Sequence, residues 1–221
     1  PVTGEFKQPM GATLSPQTKY GPFVKSICVY CGSSPGTDPA FMDEAVRCGT
    51  EIAQAGFTLI YGGGRVGLMG AVADAALAAG GRVTGVMPAH LVQQEIAHTG
   101  LTELRVVESM HERKLLMAEL SDGFLCLPGG PGTFEEVFEQ WTWALLGIHA
   151  KPCGFVNVGG YYDLMHATIQ QMADKPGPNA KWGLRAPSDG CPARDGEERL
   201  AFLDRVRGRV LRRPLEQSVV Q

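Results

Sequence analysis

Residues 57–88 read FTLIYGGGRVGLMGAVADAALAAGGRVTGVMP and contain a strand, a glycine turn, a helix and a second strand in succession. The apolar runs at 57–61 and 82–88 have the length of buried strands, and the small apolar residues between them fit one helix. Two strands joined through a helix lie parallel in one sheet, which is then covered on both faces. This stretch therefore predicts an α/β fold.

The same alternation continues on both sides of this unit. It begins with the strand VKSICVY and a helix over 39–55, and after a loop containing LVQQEIAHTG it gives LTELRVVE, a helix over 110–120, DGFLCLP, a helix over 133–146, CGFVNV and a helix near 161–173. The pattern predicts a doubly wound parallel sheet of about six or seven strands with helices on both faces. Ligands bind such sheets at the carboxyl ends of the strands.

The two ends of the chain lack this alternation. Residues 1–23 are rich in Pro, Gly, Ser and Thr, so we expect a flexible leader, part of it derived from cloning. Residues 174–195 are rich in Pro and Gly and are the least predictable part of the fold, and 197–210 predict a last amphipathic helix. We expect one folded domain over 24–211 and a tail over 212–221.

Composition excludes several classes of partner. The chain has 221 residues, enough for one sizeable domain, and its formal charge of -3 is too mild for a nucleic-acid binder. No apolar stretch is long enough to span a membrane, and the five histidines show no HxH or HxxxH pairing that would indicate a metal site. We expect a cytoplasmic protein.

The six cysteines do not predict a disulfide framework. Several lie inside apolar runs such as SICVYC and GFLCL, where a reduced, buried thiol fits. Cys28 and Cys31 form a CxxC, but a thioredoxin-like motif opens a helix directly, whereas this one continues into GSSPG. Redox function is therefore the weaker alternative.

A first glycine cluster follows the second predicted strand. Gly62, Gly64 and Gly67 stand in GxGxxG register, as in dinucleotide-binding proteins. That fingerprint requires an acid about 20 residues later at a strand end, and none is present. Two alternatives stay open: a tight turn with close helix packing at Gly67 and Gly70, or backbone amides that approach a mononucleotide.

A second glycine cluster, LPGGPGTFEEVFEQW at 127–141, opens a helix. Free amides of a first helical turn favour a phosphate. Thr133 and Glu136 also fit a capping box, which would give Glu136 a structural role only. The apolar positions at helical spacing predict a stripe that faces the sheet, formed by Phe134, Val137, Phe138, Trp141 and Leu145.

The opposite face of this helix would carry Glu136, Glu139 and Trp143. A Trp beside acids on such a face indicates a cover, either a partner subunit or a substrate ring. The alternative is an isolated exposed Trp.

The stretch SMHERKLLM, residues 109–117, places cations at the start of another helix. Ser109 and Glu112 fit a capping box, so Arg113 and Lys114 meet the positive end of the helix dipole. An anion should offset that cost. Arg113 could reach Glu136, a substrate phosphate or both, and the alternative is a solvated basic patch.

Four motifs together, CGSSPG, YGGGRVGLMG, MHERK and PGGPGTFEEVFEQWTWALLGIH, closely resemble the LOG (Lonely Guy) family of cytokinin riboside 5'-monophosphate phosphoribohydrolases. The resemblance covers about residues 24–173. It implies a Rossmann-like catalytic domain over 24–211, a homodimer or higher oligomer with interfacial active sites, and hydrolysis of the N-glycosidic bond of N6-modified AMP. It also implies that neither a metal nor an organic cofactor is needed.

The resemblance also implies roles for individual residues. Arg113 and Glu136 align with the catalytic pair, and the nucleoside 5'-monophosphate would be contacted by Glu95, Arg113, Lys114, Gly130, Pro131, Gly132, Thr133, Phe134, Glu135, Glu136 and Thr142. We expect Glu136 to stabilise the cationic sugar of the transition state and to prime a water. Met110 and Trp143 are candidates for the apolar wall around the purine.

Two departures from the family and one competing function bear on these expectations. Pro131 stands where many relatives carry Tyr and removes one amide from the loop, and the usual short strand after Ala173 is missing. The description of such proteins as lysine decarboxylases does not fit, because no Schiff-base lysine or partner for the pyridoxal ring nitrogen can be picked out. The competing function is a nucleotide-binding module without hydrolysis.

Overall fold

A computed structural model describes residues 26–93 and 97–174 of the chain. Its strands are β1 (Ser26–Tyr30), β2 (Thr58–Tyr61), β3 (Arg82–Pro88), β4 (Glu103–Val107), β5 (Gly123–Cys126) and β6 (Cys153–Phe155). Its α-helices are α1 (Pro39–Gln54), α2 (Gly67–Ala78), α3 (Ala89–Gln93), α4 (Met110–Glu119), α5 (Pro131–Leu145) and α6 (Asp163–Asp174), and a 3-10 turn spans Val158–Gly160.

The six described strands form one sheet in the order β4-β3-β2-β1-β5-β6, and every pair is parallel. The prediction of a parallel α/β sheet is confirmed. Strand order runs outward in both directions from β1: the chain builds β1 to β4 on one side and then crosses from β4 to β5 on the other, so the switch point lies between β1 and β5. In doubly wound folds such a switch point opens a crevice at the carboxyl ends of the two strands.

Alternate residues of the strands pack into two separate hydrophobic cores, one on each face of the sheet. Ile27 and Val29 of β1 pack on the side of α1 and α2, whereas Cys28 and Tyr30 pack on the side of α4 and α5. All four are almost fully buried. A strand buried on both faces needs apolar residues at consecutive positions, which is why β1 reads as an unbroken apolar run.

The start of α5 differs from the prediction. The helix begins at Pro131 with Gly130 at the N-cap, two residues before the expected Thr133. Thr133 is therefore the third residue of the helix, and its capping box with Glu136 is wrong. Pro131 explains the earlier start, because its fixed φ suits the first helical position and its missing N–H costs nothing there.

The predicted apolar stripe of α5 is confirmed in part, because Val137 lies in the core and Phe134 and Phe138 pack against it. The buried positions of α5 are Thr133, Val137 and Gln140, and Glu136 lies beside them with a side chain that is only 15% exposed. Trp143 packs against the core on the α4 side instead of covering an outer face. The buried face of α5 is thus wider than the predicted stripe, because Glu136 and Glu139 have partners in α4 that periodicity does not reveal.

Several expectations fall on other parts of the chain. The leader 1–23, the last helix 197–210, the tail 212–221 and nearly all of 174–195 lie outside the described residues, as does Glu95. Within the described residues, no helix has the length and apolar character needed to cross a membrane.

Candidate active site

A pocket of about 360 Å³ opens at the switch point between β1 and β5. Its floor is the end of β1, and its walls come from the loop after β2, from α4 and from the start of α5. The lining residues are Val29, Tyr30, Cys31, Gly32, Ser33, Gly62, Met69, Met110, Arg113, Met117, Gly130, Pro131, Gly132, Thr133, Glu135 and Glu136. Both predicted catalytic residues therefore line one pocket.

The N-terminus of α5 opens into this pocket. Helices α1 and α4 begin with side-chain caps, Asp38 accepting from the Ala40 amide and Ser109 from the Glu112 amide. Gly130 starts α5, and no side chain of the described residues caps it. The amides of the first turn are thus directed at the pocket, where an anion would satisfy them.

Glycines keep that approach open. A β-carbon added to Gly130 or Gly132 would meet no atom of the described residues within 4 Å. The main-chain geometry does not require glycine at either site, because neither has a positive φ. What their missing side chains leave accessible is the backbone of the first helical turn.

Two tyrosines that sequence reasoning missed hold the loop before α5 from behind. The Tyr161 hydroxyl donates to the carbonyl of Gly129 at 2.6 Å, and the Tyr162 hydroxyl donates to the carbonyl of Leu127 at 2.6 Å. Tyr162 is fully buried. These hydrogen bonds fix the loop that leads into the helix, and only the YY doublet after two glycines hinted at them.

Glu136 is the buried carboxylate of the pocket. Burial raises its pKa from 4.5 to about 7, and the nearby Arg113 guanidinium opposes that rise while Glu135 adds to it. Desolvation penalises a charged carboxylate, and one opposite charge only partly compensates. Glu136 can therefore both carry charge and exchange a proton near neutral pH.

Arg113 faces Glu136 from α4. Its Nη1 lies 3.8 Å from Glu136 Oε1, an ion pair without a direct hydrogen bond. Its Nε donates to the carbonyl of Val86 at 3.0 Å and its Nη2 to the carbonyl of Gly62 at 2.9 Å. Two of its nitrogens thus bind carbonyls near the carboxyl ends of β2 and β3, and the third nitrogen, Nη1, faces the carboxylate of Glu136.

Lys114 does not line the pocket, and its side chain reaches α5. Its ammonium contacts the carboxylate of Glu135 and lies 3.1 Å from Glu139 Oε1. Burial alone would lower the pKa of Lys114, but the two carboxylates outweigh burial and leave that pKa raised. Lys114 therefore joins the two helices that carry Arg113 and Glu136.

The predicted substrate contacts divide into two groups. Arg113, Gly130, Pro131, Gly132, Thr133, Glu135 and Glu136 line the pocket. Three other predicted contacts do not line the pocket that the described residues form. Lys114 pairs with acids, Phe134 packs edge-on against Tyr162, and Thr142 is exposed. Of the predicted apolar wall, Met110 lines the pocket and Trp143 does not.

Tyr30, Ser33, Met69 and Met117 also line the pocket without having been predicted there. Tyr30 and Ser33 follow from position, because they lie at the end of the strand beside the switch point. Met69 and Met117 look like ordinary core residues in sequence, since each stands in an apolar helical stripe.

The structure also bears on three other functions considered from the sequence, namely redox chemistry at the CxxC, dinucleotide binding at the first glycine cluster and metal binding. Burial raises the pKa of both the Cys28 and the Cys31 thiol, which disfavours thiolate chemistry there. Gly62 contacts Arg113, and Gly67 packs against the backbone of Ser33, so this glycine cluster serves packing around the pocket. No cluster of His, Cys, Asp and Glu in the described residues could hold a metal ion.

Comparison with known proteins places the chain. A family model described as "Possible lysine decarboxylase" matches residues 69–178. A cytokinin riboside 5'-monophosphate phosphoribohydrolase of Rhodococcoides fascians is 49% identical over 168 residues, 75% of this chain and 84% of the relative. The chain belongs to the cytokinin riboside 5'-monophosphate phosphoribohydrolase family.

Plant members of this phosphoribohydrolase family match comparably. A probable cytokinin riboside 5'-monophosphate phosphoribohydrolase of Oryza sativa subsp. japonica is 44% identical over 170 residues, 77% of this chain and 74% of the relative. The solved structure of a Moco carrier protein from Chlamydomonas reinhardtii aligns with a TM-score of 0.60 at 22% identity, over 85% of this chain and 99% of that one. That likeness shows a common fold.

Among the described residues, the pocket has no lysine that could form the Schiff base of a pyridoxal-dependent decarboxylase, the activity that the family model's description names. The described residues contain two lysines, Lys114 and Lys151. Lys114 is paired with acids, and the Lys151 ammonium donates to the carbonyl of Ala118 at 2.6 Å. Neither side chain lines the pocket at the switch point.

Proposed function

We propose that this protein hydrolyses the N-glycosidic bond of nucleoside 5'-monophosphates that carry an adenine-type base, releasing the base and ribose 5-phosphate. Cytokinin riboside 5'-monophosphates would be its substrates, together with AMP. The observation that carries the proposal is the buried Glu136 carboxylate facing Arg113 across a pocket beside the uncapped start of α5.

The 5'-phosphate would bind at α5. The amides of Gly130, Gly132 and Thr133 and the positive end of the helix dipole supply a site for its charge. The open space beside Gly130 and Gly132 lets phosphate oxygens approach the backbone closely. Binding this remote group orients the anomeric carbon for reaction.

The sugar would then lie against Glu136. As the bond between the anomeric carbon and the base nitrogen lengthens, the sugar becomes cationic and the carboxylate stabilises it. Water adds its oxygen to the anomeric carbon, and the electron pair of the broken bond leaves with the base. Glu136 takes the proton from the water and returns a proton to the departing base, a task that suits a pKa of about 7.

Arg113 would keep Glu136 ionised and in position, and Nη1 would contact the ribosyl phosphate. Met110, Met69 and Met117 supply an apolar wall for the base. Glu95 would contact the base or a sugar hydroxyl.

The direct test is a chromatographic assay for free base after incubation with AMP or isopentenyladenosine monophosphate. We expect both to release base in wild-type protein and neither in Glu136→Ala or Arg113→Ala, with circular dichroism showing that both variants fold. Binding of AMP without base release by wild-type protein would instead favour the nucleotide-binding module.

We also propose a homodimer with its active sites at the interface, with assembly into a higher oligomer as a further option. Large apolar side chains are exposed on α4 at Met110 and Leu115 and just after α5 at Leu146 and Ile148. The exposed Thr142 would then contact substrate in the partner's site. Sedimentation velocity should give at least a dimer mass, and a monomer mass at assay concentrations would refute this part of the proposal.

A further inference from the structure

Gly62, the first of three consecutive glycines after β2, lies directly against Arg113. A β-carbon added at residue 62 would fall 1.9 Å from Arg113 Nη2 and 3.1 Å from Cζ. The carbonyl of the same glycine accepts a hydrogen bond from that Nη2 at 2.9 Å. No side chain can occupy position 62 unless the guanidinium moves.

The backbone itself does not call for glycine at this position. In the turn after β2 the residue with a positive φ is Gly63, at 80°, and Gly62 is not among the positive-φ glycines of the described residues. An alanine at 62 could therefore keep the local chain path. The requirement for glycine comes from Arg113 and not from the turn.

The contacts of Arg113 explain why this matters. Val86 and Gly62 hold Nε and Nη2 at the carboxyl ends of two neighbouring strands, so the rigid sheet sets the direction of the guanidinium. The remaining nitrogen, Nη1, is then 3.8 Å from Glu136 Oε1. A displacement at the Gly62 end would be passed on to the Glu136 end, because the guanidinium is planar and rigid.

We infer that Gly62 is a positioning residue, whose missing side chain and free carbonyl seat Arg113 so that it faces Glu136. The inference deepens the proposed hydrolase function and rests on it for the kinetic test. It also gives this glycine cluster a role other than holding a dinucleotide phosphate.

The main variant is Gly62→Ala, with Gly64→Ala as its matched control in the same loop. The three atoms nearest to an added methyl at 64 all belong to Met69, and the closest of them, at 2.8 Å, is the terminal carbon of that flexible side chain, whereas a methyl at 62 meets Arg113 first. We expect kcat of Gly62→Ala for AMP to fall by roughly a hundredfold, the cost of misplacing a group by about an ångström. Arg113→Ala should remove the effect: the Glu136 titration, which needs no activity, should be the same in Gly62→Ala/Arg113→Ala as in Arg113→Ala alone.

A titration separates positioning from a general loss of structure. Charged and titratable groups face Glu136 from α4, from α5 and from the end of β1. They are Arg113 and Lys114, Glu135 and Glu139, and Cys28, Tyr30 and Cys31. Of these, Arg113 contributes the largest effect that favours the ionised carboxylate. Gly62→Ala should therefore raise the pH at which Glu136 titrates, followed by carbon NMR of the carboxyl group, whereas Gly64→Ala should leave it in place.

The outcomes are distinct. Wild-type kcat and an unshifted Glu136 titration in Gly62→Ala would overturn the inference, as would an equal further shift of that titration when Gly62→Ala is added to Arg113→Ala. If Gly62→Ala does not fold, recovery of folding in the double variant supports the inference and failure of both overturns it. A wild-type protein that releases no base would refute the proposed function alone, because the NMR titration needs no substrate.

Discussion

Glu136 carries its negative charge in surroundings that disfavour it. Its side chain is largely buried, and Glu135 and Glu139 oppose its ionisation, so Arg113 and Lys114 compensate only in part. A carboxylate in such a site gains more from a developing cation than a solvated one does, since little water screens the attraction. The same burial that costs stability therefore suits the proposed chemistry.

The proposed role of Glu136 predicts a pH profile. Its pKa is raised to about 7, and the reaction needs the ionised form, so activity should rise with pH and level off above that value. The measurement is kcat for AMP between pH 5 and 9. A profile that is flat from pH 5 upward would contradict this role.

Substitution of Glu136 should separate stability from activity. The pKa is 4.5 in the unfolded chain and about 7 in the fold, so the folded state loses stability as pH rises through that window. Above pH 7 the full cost applies, and Glu136→Gln should raise the free energy of unfolding by up to about 3 kcal/mol. Urea denaturation at pH 8 measures this gain, and base release measures the accompanying loss of activity.

The gain should fade towards pH 4.5, where the wild-type carboxyl is neutral in the fold. Glu119→Gln, which alters an exposed glutamate of α4, is the control and should change stability little at either pH. Equal stability of Glu136→Gln and wild-type protein at pH 8 would show that burial costs Glu136 nothing.

The start of α5 is the element that would bind phosphate, and Gly132 tests it. An added methyl at 132 meets open space and joins a helix, so Gly132→Ala should keep or raise stability by up to about 1 kcal/mol. The same methyl would occupy the phosphate's approach. We expect KM for AMP to rise about tenfold, the value of one hydrogen bond to a charged group.

Thermal melting and steady-state kinetics of the same preparation give both quantities. An unchanged KM in Gly132→Ala would mean that phosphate binds elsewhere in the pocket.

The connection between α4 and α5 depends on Lys114. Its ammonium is buried between Glu135 and Glu139, and removing it leaves two carboxylates close together. Lys114→Met should cost about 1–3 kcal/mol of stability, less than a fully buried pair because Glu135 reaches solvent. Chemical denaturation measures the loss, and Lys114→Met/Glu139→Gln should recover part of it.

If Lys114 instead bound substrate, Lys114→Met would raise KM without loss of stability. That result would support the role of Lys114 as a substrate contact, which the family resemblance implied.

At the scale of the whole molecule, the pocket joins both halves of the sheet, so a bound phosphate ester should stabilise the entire fold. Ribose 5-phosphate at a hundred times its Kd should add about 2.7 kcal/mol to the free energy of unfolding. Calorimetry of Glu136→Gln with ribose 5-phosphate, and with ribose as a control, measures this. Equal shifts for the two sugars would argue against a phosphate site at α5.

The sequence predicted the architecture because its signals are local. Apolar runs of strand length, helical periodicity and glycine turns each reside within a few residues, and together they specify the parallel sheet that the structure has. The glycine-rich start of α5 and the pairing of Arg113 with Glu136 were likewise suggested by motifs.

The errors concern contacts between distant segments. Periodicity turned Glu136 outward, because it cannot register that Arg113 and Lys114 of α4 provide polar partners on the inner side. Tyr161 and Tyr162 were missed for the same reason, since their hydroxyls bond to residues more than 30 positions earlier. Such pairings depend on the order of strands, which becomes known only once the fold is closed.

The two principal side chains of the pocket are mounted on different parts of the scaffold. Arg113 is attached to carbonyls after β2 and at the end of β3, whereas Glu136 is carried by α5, which packs on β5, β1 and β6. A slight sliding of α5 along the sheet would change their separation while leaving each part intact. Substitutions on the buried face of α5 that do not line the pocket, such as Val137→Ala, are thus a route by which turnover could change between homologues that keep every motif.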